Sequence, residues 1–317
     1  MSIRSIVLII LTASISHSFG GEKFTVNNKQ VFENQKEFVR QGFRCGTATP
    51  PDVQRTQDRV RIGAFRLANP RVENATKSAE IDVPVYFHVL QDADGKGDLS
   101  DTALDEQLAV LNKAYDKFHI RFTRAGVDRT KNTKWFNMGY KSAAEREAKS
   151  TLGKSQEDHL NFYTANIAGG LLGWATFPFD LPNAPAMDGV VILNTSFPKG
   201  ASAPYDLGMT AVHEIGHWLG LYHTFQGGCE PPGDEVDDTP YESDAAFGSC
   251  AQNTGRDTCP APGKDDVKNY MDYTDDDCMD HFTEGQNTRM HLQVAAYRSK
   301  LIPTDVRMSL KSVPALE

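Results

Sequence analysis

The sequence lacks an apolar run long enough to span a membrane, an excess of basic residues and any internal repeat. A spanning helix needs about 20 consecutive apolar residues, so no membrane partner is expected. The 317 residues carry a formal net charge of −9, which argues against a nucleic-acid partner because such a partner requires a basic face. Hydrophobic residues make up 39% and charged residues 24%, which predicts an ordinary soluble globular protein.

The N-terminal residues 1–20 are typical of a secretory signal peptide. Arg4 supplies the positive charge of the N-terminal region, residues 6–11 form the apolar region, and small residues up to Gly20 offer cleavage sites. Residues 21–60 are polar and irregular, with little apolar periodicity, which predicts a pro-segment. The sequence therefore predicts a secreted chain with one folded unit over residues 61–317.

The stretch HEIGHWLGLYH, which starts at His213, has the spacing of a zinc site. His213 and His217 lie four residues apart, so a helix presents both imidazoles on one face. Gly220 can adopt the left-handed conformation that ends a helix, and the chain can then return His223 as a third ligand. Three ligands leave one position open for water, as in a catalytic zinc site. Glu214 can reach that water without binding the metal and is the predicted general base.

The long pattern H-E-x-x-H-x-x-G-x-x-H is the signature of the metzincin metalloproteases, and the chain is identified as a member of that clan. Metzincins carry a methionine in a tight turn beneath the metal, and Met271 in the stretch NYMDY fits that place. A soft thioether can fill the irregular space under three imidazoles. The resemblance also implies a catalytic role for Tyr273, where some metzincins place a tyrosine that contacts the zinc or the oxyanion.

Patterns of apolar residues predict strands and helices on both sides of the zinc helix. Residues 81–87 alternate between apolar and polar side chains, as in a strand. Residues 101–118 show helical spacing, with Ser100 as the cap. Further strands are predicted at 120–122, 160–166, 171–177 and 190–193, and further helices at 142–152, from about 208, and at 283–301.

Five cysteines in a secreted chain can form at most two disulfides, so one cysteine has no disulfide partner. Cys229, Cys250, Cys259 and Cys278 follow the zinc helix, whereas Cys45 lies near the N-terminus. Oxidising surroundings favour two disulfides among the four, and three connectivities are open. Each bridge would close a loop of about thirty residues and contribute roughly 3–4 kcal/mol.

Cys45 precedes the folded unit and is flanked by Arg44 and Gly46. As a thiolate it could ligate the zinc and displace the catalytic water, because a nearby zinc ion lowers the pKa of a thiol. The alternatives are an unpaired thiol or an intermolecular bridge. The prediction is a cysteine latch that keeps the enzyme inactive.

The chain between Cys229 and Asp280 is strongly acidic, rich in glycine and proline, and has few predicted regular elements. The run DEVDDT, which starts at Asp234, is rich in the oxygen ligands that calcium prefers. The alternative is a solvated acidic face that aids solubility. Structural Ca²⁺ is the favoured interpretation.

Within the metzincins, the chain resembles the pappalysin-like branch of secreted proteases over about residues 40–303. The resemblance rests on five stretches: RCG from Arg44, LGWATFP from Leu172, the run 213–229, DTP from Asp238 and NYMDY from Asn269.

This resemblance implies an α+β metzincin fold. A twisted mixed β-sheet and the active-site helix would form an upper lobe to about residue 223, above an irregular, disulfide-stapled lower lobe from about 224. Residues 172–177 would be the edge strand of the cleft, to which a substrate adds as a strand. Aligned on the family's cysteines, the pairs would be Cys229–Cys259 and Cys250–Cys278.

The family also suggests a substrate preference. In relatives, an aspartate that matches Asp277 lies in the pocket for the residue after the scissile bond. A partly desolvated carboxylate accepts a bidentate guanidinium, so arginine is expected to be preferred over lysine. The alternatives for Asp277 are a calcium ligand or a solvated loop residue. With this preference the enzyme could remove its own pro-segment before Arg55, Arg59 or Arg61.

The sequence thus predicts a secreted zinc endopeptidase that acts on proteins or peptides. The competing hypothesis is a zinc-holding module that binds peptides or matrix without cutting them, which the presence of Glu214 disfavours. Asn74 and Asn194 are acceptors of N-glycosylation sequons. Asn74 is favoured, because Asn194 directly follows an apolar strand.

Overall fold

The computed structural model describes residues 24–26, 30–32, 44–77, 79–167 and 171–311. The predicted signal peptide 1–20 lies outside the described residues, as does most of the predicted pro-segment before Arg44. Within that pro-segment, β1 (Phe24–Val26) and β2 (Gln30–Phe32) pair in antiparallel orientation. Across the described parts of the chain, no helix is long and apolar enough to cross a membrane.

A five-stranded sheet forms the centre of the fold, with four parallel strands and one antiparallel edge strand. The three inner strands are mostly buried because helices cover both faces of the sheet. A short antiparallel strand lies at one edge. In spatial order the strands are β4 (Ile120–Lys131), β3 (Ile81–Gln91), β5 (Leu160–Ala165), β7 (Val190–Leu193) and β6 (Gly173–Ala175).

Helices pack on both faces of this sheet. The larger apolar core lies between one face of β3 and the helices at 101–115, 209–218 and 284–297. The smaller one lies between the other face of the sheet and the helices at 133–136 and 143–152. The helices are α1 (Asp52–Ala68), α2 (Val72–Lys77), α3 (Asp101–Tyr115), α4 (Thr133–Phe136), α5 (Ala143–Leu152), α6 (Met209–Trp218), α7 (Glu284–Tyr297) and α8 (Thr304–Ser309).

Most predicted elements are present, with changed ends. α3 begins after the predicted cap, since Ser100 Oγ accepts from the Ala103 N–H at 3.2 Å. β4 is much longer than the predicted 120–122, because its second half is an exposed strand that pairs with β3 without apolar alternation. β6 is shorter than the predicted 171–177, since only three of its residues pair with β7.

The prediction of irregular chain up to residue 60 is wrong for its last part. α1 is one continuous helix across the predicted boundary at residues 60–61. Its Asp58 is buried and accepts hydrogen bonds from Gln293 Nε2 at 2.6 Å and from the Tyr297 hydroxyl at 2.9 Å. The pattern of apolar residues did not predict α1, because only two of its residues are buried. One of them is Phe65 and the other is the carboxylate Asp58, so no apolar face repeats along the helix.

The chain after His223 is built mainly from turns and two disulfides. The structure contains Cys229–Cys259, with an S–S distance of 2.04 Å, and Cys250–Cys278, with one of 2.07 Å. This is the pairing that the family alignment implied. A short parallel pair, β8 (Phe247–Gly248) and β9 (Tyr273–Thr274), lies between the bridges.

A buried ion pair joins the end of α7 to the active-site helix. Both Arg298 Nη atoms bind the Asp188 carboxylate, at 2.7 and 2.9 Å, and the Trp218 indole N–H donates to the same carboxylate at 3.0 Å. Both charges are fully buried, so removal of either side chain would leave the other as an uncompensated buried charge and destabilise the fold. These contacts fix the C-terminal end of α6 against the sheet.

Candidate active site

Helix α6 and the turn after it bring three histidines together. His213 and His217 lie on one face of the helix, as their spacing predicted. Gly220 follows with φ +102, a left-handed conformation in which a Cβ would approach Gln293 Cγ to 2.4 Å. The chain turns at this glycine and returns His223 to the other two rings, whose centroids lie 5.2 and 4.5 Å from its own.

Main-chain carbonyls orient two of the imidazoles. His213 Nδ1 lies 2.7 Å from the Tyr270 carbonyl oxygen, and His217 Nδ1 lies 2.7 Å from the Leu221 carbonyl oxygen. A carbonyl can only accept, so both Nδ1 atoms carry the proton and both Nε2 atoms present a lone pair. Burial lowers the pKa of His217 to about 4, and lowers the pKa of His213 and His223 well below the usual value. The rings are therefore neutral, as metal ligands must be.

The donor set fits a zinc ion. The ligand atoms of Cys45, His213, His217 and His223 all lie within 4.8 Å of one another. His213 Nε2 is buried without a hydrogen-bond partner, and the Nε2 atoms of His217 and His223 face each other at 3.1 Å. A cation among them would satisfy these lone pairs, and three nitrogens with one sulfur suit tetrahedral zinc. Among the residues that the structure describes, this is the only such cluster of three or more histidine, cysteine or acidic side chains.

Glu214 lies beside the cluster and is 1% exposed. Its Oε2 accepts a hydrogen bond from the Thr47 hydroxyl at 2.9 Å and lies 3.3 Å from Cys45 Sγ. Burial raises the pKa of the Glu214 carboxyl to about 7. Gly173 of β6 passes directly over it, and a Cβ there would approach Glu214 Cγ to 2.9 Å.

Met271 and Tyr273 lie under and beside the three imidazoles. Met271 is fully buried against α6, and a Cβ on Gly216 would come within 2.4 Å of its sulfur. The Tyr273 hydroxyl lies 3.1 Å from His223 Nε2. Met271 therefore packs against the helix that carries His213 and His217, and Tyr273 contacts His223; their roles in catalysis stay predictions.

The segment that contains Cys45 runs along the free edge of β6 as an added strand. The Leu172 N–H donates to the Arg44 carbonyl at 3.1 Å, and the Gly46 N–H donates to the Gly173 carbonyl at 2.8 Å. The pairing is parallel, with Cys45 opposite Gly173. This segment covers the sheet edge to which an extended substrate is expected to add.

Arg44 fills a pocket next to the histidines. Its Nη2 lies 3.1 Å from Asp276 Oδ1, its Nη1 donates to the Thr274 carbonyl, and its Cζ lies 4.6 Å from the centroid of the Tyr205 ring. The second carboxylate oxygen of Asp276 accepts from the Leu207 N–H at 3.0 Å. The buried guanidinium thus has a carboxylate, a carbonyl and an aromatic face around it.

Asp277, the predicted pocket residue, is exposed and does not face this pocket. Asp276 is 1% exposed and binds Arg44 in its place. The physical reason is a tight turn in which the Cys278 N–H donates to the Asp275 carbonyl at 2.9 Å, so that Asp277 points outward. In a run of three aspartates, the sequence does not reveal which one faces inward.

The acidic run assigned to calcium has protein partners. Asp238 accepts from the Thr283 hydroxyl at 2.7 Å and from the Gly285 N–H at 2.8 Å, at the start of α7. Asp234 Oδ1 accepts from the Thr239 hydroxyl at 2.7 Å, whereas its Oδ2 is buried without a partner.

The two sequon asparagines differ in exposure: Asn74 is exposed, and Asn194 is buried.

Three residues of the site were missed from the sequence: Thr47, Asp276 and Tyr205. Thr47 contacts Glu214 across 167 residues of chain, and no local pattern signals such a contact. Tyr205 lies in a loop without periodicity. Asp276 lies in the aspartate run directly before the predicted Asp277, and it is the member that the structure places against Arg44.

Comparisons with known proteins identify the family of this chain. Residues 157–295 match the model of the M43 peptidase family, described as pregnancy-associated plasma protein-A. An extracellular metalloprotease of Colletotrichum graminicola is 46% identical over 264 residues, which are 80% of this chain and 91% of the relative. An extracellular metalloprotease of Pyricularia oryzae is 39% identical over 262 residues, which are 81% and 90%.

Two solved structures from Tannerella forsythia are also similar. A promirolysin mutant has a TM-score of 0.68 and 27% identity, over 85% of this chain and 99% of that one. Mature mirolysin in complex with a cleaved peptide has a TM-score of 0.61 and 30% identity, over 73% and 95%.

Proposed function

Because this chain belongs to the M43 peptidase family and is a zinc metalloendopeptidase, we propose that it is secreted as a latent zymogen in which Glu214 is the general base. One observation carries the proposal. The ligand atoms of Cys45 and the three histidines lie within 4.8 Å of one another, directly beside the buried Glu214 carboxyl. Secretion is supported by the relatives, which are named extracellular metalloproteases.

The proposed mechanism uses residues already positioned at the site. His213, His217 and His223 would hold the zinc, which when bound polarises the scissile carbonyl and acidifies a water. Glu214 takes the proton of the attacking water and returns it to the leaving amine. The Tyr273 hydroxyl, 3.1 Å from His223 Nε2, would donate a hydrogen bond to the oxygen of the reacting carbonyl as its negative charge develops.

The test of this function is peptide hydrolysis by the matured enzyme with and without a zinc chelator. Cleavage of a fluorogenic peptide that stops on chelation and returns with added Zn²⁺ supports the proposal. A zinc-loaded, matured protein that binds peptides and leaves them intact would support the competing binding module.

We propose further that the pocket of Arg44 receives the residue after the scissile bond and selects arginine. The zymogen strand is parallel to β6, so a substrate that adds to β6 in antiparallel orientation would run in the opposite direction. Arg44, which lies directly before Cys45, would then stand in for the residue after the scissile bond. A guanidinium matches this pocket better than an ammonium, since it donates to Asp276 and to the Thr274 carbonyl at once while its plane faces Tyr205.

Asp276→Asn in the matured enzyme is expected to reduce the preference for arginine over alanine after the scissile bond by about 10- to 100-fold. The basis is that a hydrogen bond to a charged group contributes roughly 1.5–3 kcal/mol and each 1.4 kcal/mol is tenfold. Asparagine can still accept from the Leu207 N–H, so the loop is retained. Ratios of kcat/KM for paired peptides measure the effect. Asp277→Asn is the matched control, and a loss of preference in that variant instead would reassign the pocket.

Calcium on the acidic part of the chain also stays a proposal. Its support is that Asp234 Oδ2 and Asp272 Oδ2 are buried without hydrogen-bond partners, and burial raises the pKa of each carboxyl to about 7. A bound cation would offset the cost of burying either charge. If calcium binds, the midpoint of thermal unfolding should rise with added Ca²⁺. An unchanged midpoint would remove calcium from the proposal.

Glycosylation is proposed at Asn74, which is exposed on α2, in preference to the buried Asn194. The chemistry applies to a chain that passes through a eukaryotic secretory route. A mass that does not change when a eukaryotically expressed sample is treated with glycosidase would exclude it.

A further inference from the structure

A cavity of about 630 Å³ lies between the added strand and the sheet edge. The register of the added strand shows on which side of the histidines it lies. Arg44 pairs with Leu172, Cys45 lies opposite Gly173, and the Ala175 N–H donates to the Thr47 hydroxyl at 2.8 Å. Residues 47–51 line the cavity, so it follows Cys45 along β6, whereas the Arg44 pocket precedes Cys45.

The walls of the cavity are mainly apolar and aromatic, and its rim carries two cations, Lys141 and Arg146. Both acidic neighbours already have partners. Glu145 binds Lys149 Nζ at 2.9 Å and the Trp174 indole N–H at 2.6 Å. Asp180 accepts from the Phe177 N–H at 3.0 Å. The apolar wall consists of Tyr140, Trp174, Phe177, Phe179, Ala184 and Met187.

The zymogen strand leaves this cavity largely open. Its residues at this point are Ala48, Thr49, Pro50 and Pro51, of which Pro50 is buried. These side chains are small or apolar, and none of them is long enough to occupy the space between the aromatic rings. The neighbouring Arg44 pocket, by contrast, is filled by a long side chain with matched contacts.

We propose that this cavity is the subsite for a large aromatic side chain located two to four residues before the scissile bond. The inference rests on the proposed function, in which the residue after the scissile bond occupies the Arg44 pocket. A substrate strand that crosses the histidines from that pocket continues along β6 into the cavity. Two to four residues of strand cover roughly 7–13 Å, at about 3.3 Å per residue.

The chemistry of the cavity selects the class of side chain. Aromatic rings on the wall offer edge and face contacts to another ring, and burial of a large apolar surface stabilises the complex. Lys141 and Arg146 at the rim repel a lysine or arginine at the same position. The expected order at this substrate position is therefore phenylalanine or tryptophan, then alanine, then lysine.

The test uses matured enzyme and quenched peptides that carry arginine after the scissile bond, with a matched set that carries alanine there to measure the arginine preference. Phenylalanine, alanine or lysine is placed in turn at the second, third and fourth positions before that bond. At one of these positions phenylalanine is expected to exceed alanine in kcat/KM by about 10- to 100-fold, the range found for apolar pockets that gain or lose part of a side chain.

Two surface variants connect this preference to the cavity. Ala184 is an exposed lining residue, so Ala184→Trp should fill the cavity without disturbing the core and reduce the phenylalanine-to-alanine ratio to near one. Asn183→Trp is the matched control, because Asn183 is exposed, adjacent and not part of the lining. Both variants should retain the preference for arginine.

The outcomes separate this inference from the proposed function. Equal rates for the three residues at all three positions, with arginine still preferred, would overturn the subsite alone. A phenylalanine preference that survives Ala184→Trp would place the subsite elsewhere. Loss of the arginine preference in the parent enzyme, with the aromatic preference intact, would overturn only the assignment of the Arg44 pocket.

Discussion

Glu214→Gln in the matured enzyme is expected to lower kcat/KM by about 10²- to 10⁴-fold, the usual contribution of a positioned general acid–base. Glutamine has nearly the same shape as glutamate, but it cannot take a proton from water. Zinc content should be unchanged, because Glu214 is not one of the clustered ligands. Hydrolysis of an arginine-containing fluorogenic peptide and metal analysis of the same sample measure both quantities.

Glu147→Gln serves as the control, because Glu147 is an exposed carboxylate that binds Lys134 at 2.7 Å away from the cleft. Its kcat/KM should match that of the parent enzyme. A Glu214→Gln variant that keeps its activity within a fewfold would assign the general base to another group. A variant that loses its zinc along with its activity would give Glu214 a structural role.

The parts of this protein that could be predicted are those encoded over short stretches of chain. The three histidines and Glu214 lie within eleven residues, and helical geometry alone brings His213 and His217 to one face. The predicted α+β metzincin fold and the enzyme class are confirmed by the similarity to the mirolysin structures and to fungal metalloproteases.

The parts that were missed depend on contacts between distant segments. α1 buries a carboxylate against α7, and that contact leaves no apolar period in the sequence. Asp276 and Asp277 are chemically identical, and only the turn before Cys278 decides which one is buried. The disulfide pairing required the family alignment, because four cysteines allow three connectivities and the sequence alone does not choose between them.

The arginines proposed as maturation sites raise a related point. Arg55, Arg59 and Arg61 all lie within α1, which is continuous and held to α7 through Asp58. A protease needs an extended strand, so cleavage before any of them requires local unwinding of this helix. N-terminal sequencing of the matured enzyme identifies which bond is cut.

Latency is proposed to depend on three neighbouring residues that each block a different part of the cleft. Arg44 fills the pocket beside Asp276, and Thr47 donates to Glu214 at 2.9 Å. Cys45 Sγ lies with the three imidazoles, where a thiolate would take the open position of the zinc. Burial and the nearby Glu214 raise the pKa of the Cys45 thiol well above its usual value, so a thiolate at this position requires the cation.

Cys45→Ala in the intact zymogen is therefore expected to raise its activity on a short peptide by about 10- to 100-fold, the factor for losing one charge-assisted contact. Arg44 and Thr47 still hold the strand in this variant, so the matured enzyme should remain more active. Thr49→Ala is the control from the same segment, because the Thr49 hydroxyl donates to Gln226 Oε1 at 3.1 Å, outside the histidine cluster.

In a cobalt-substituted zymogen, the sulfur-to-cobalt charge-transfer absorption should be present in the parent and absent in Cys45→Ala. Electrophoresis of each sample excludes activity from a matured fraction. A Cys45→Ala zymogen that is as inactive as the parent, with the same cobalt spectrum, would leave Arg44 and Thr47 as the source of latency and remove the cysteine latch.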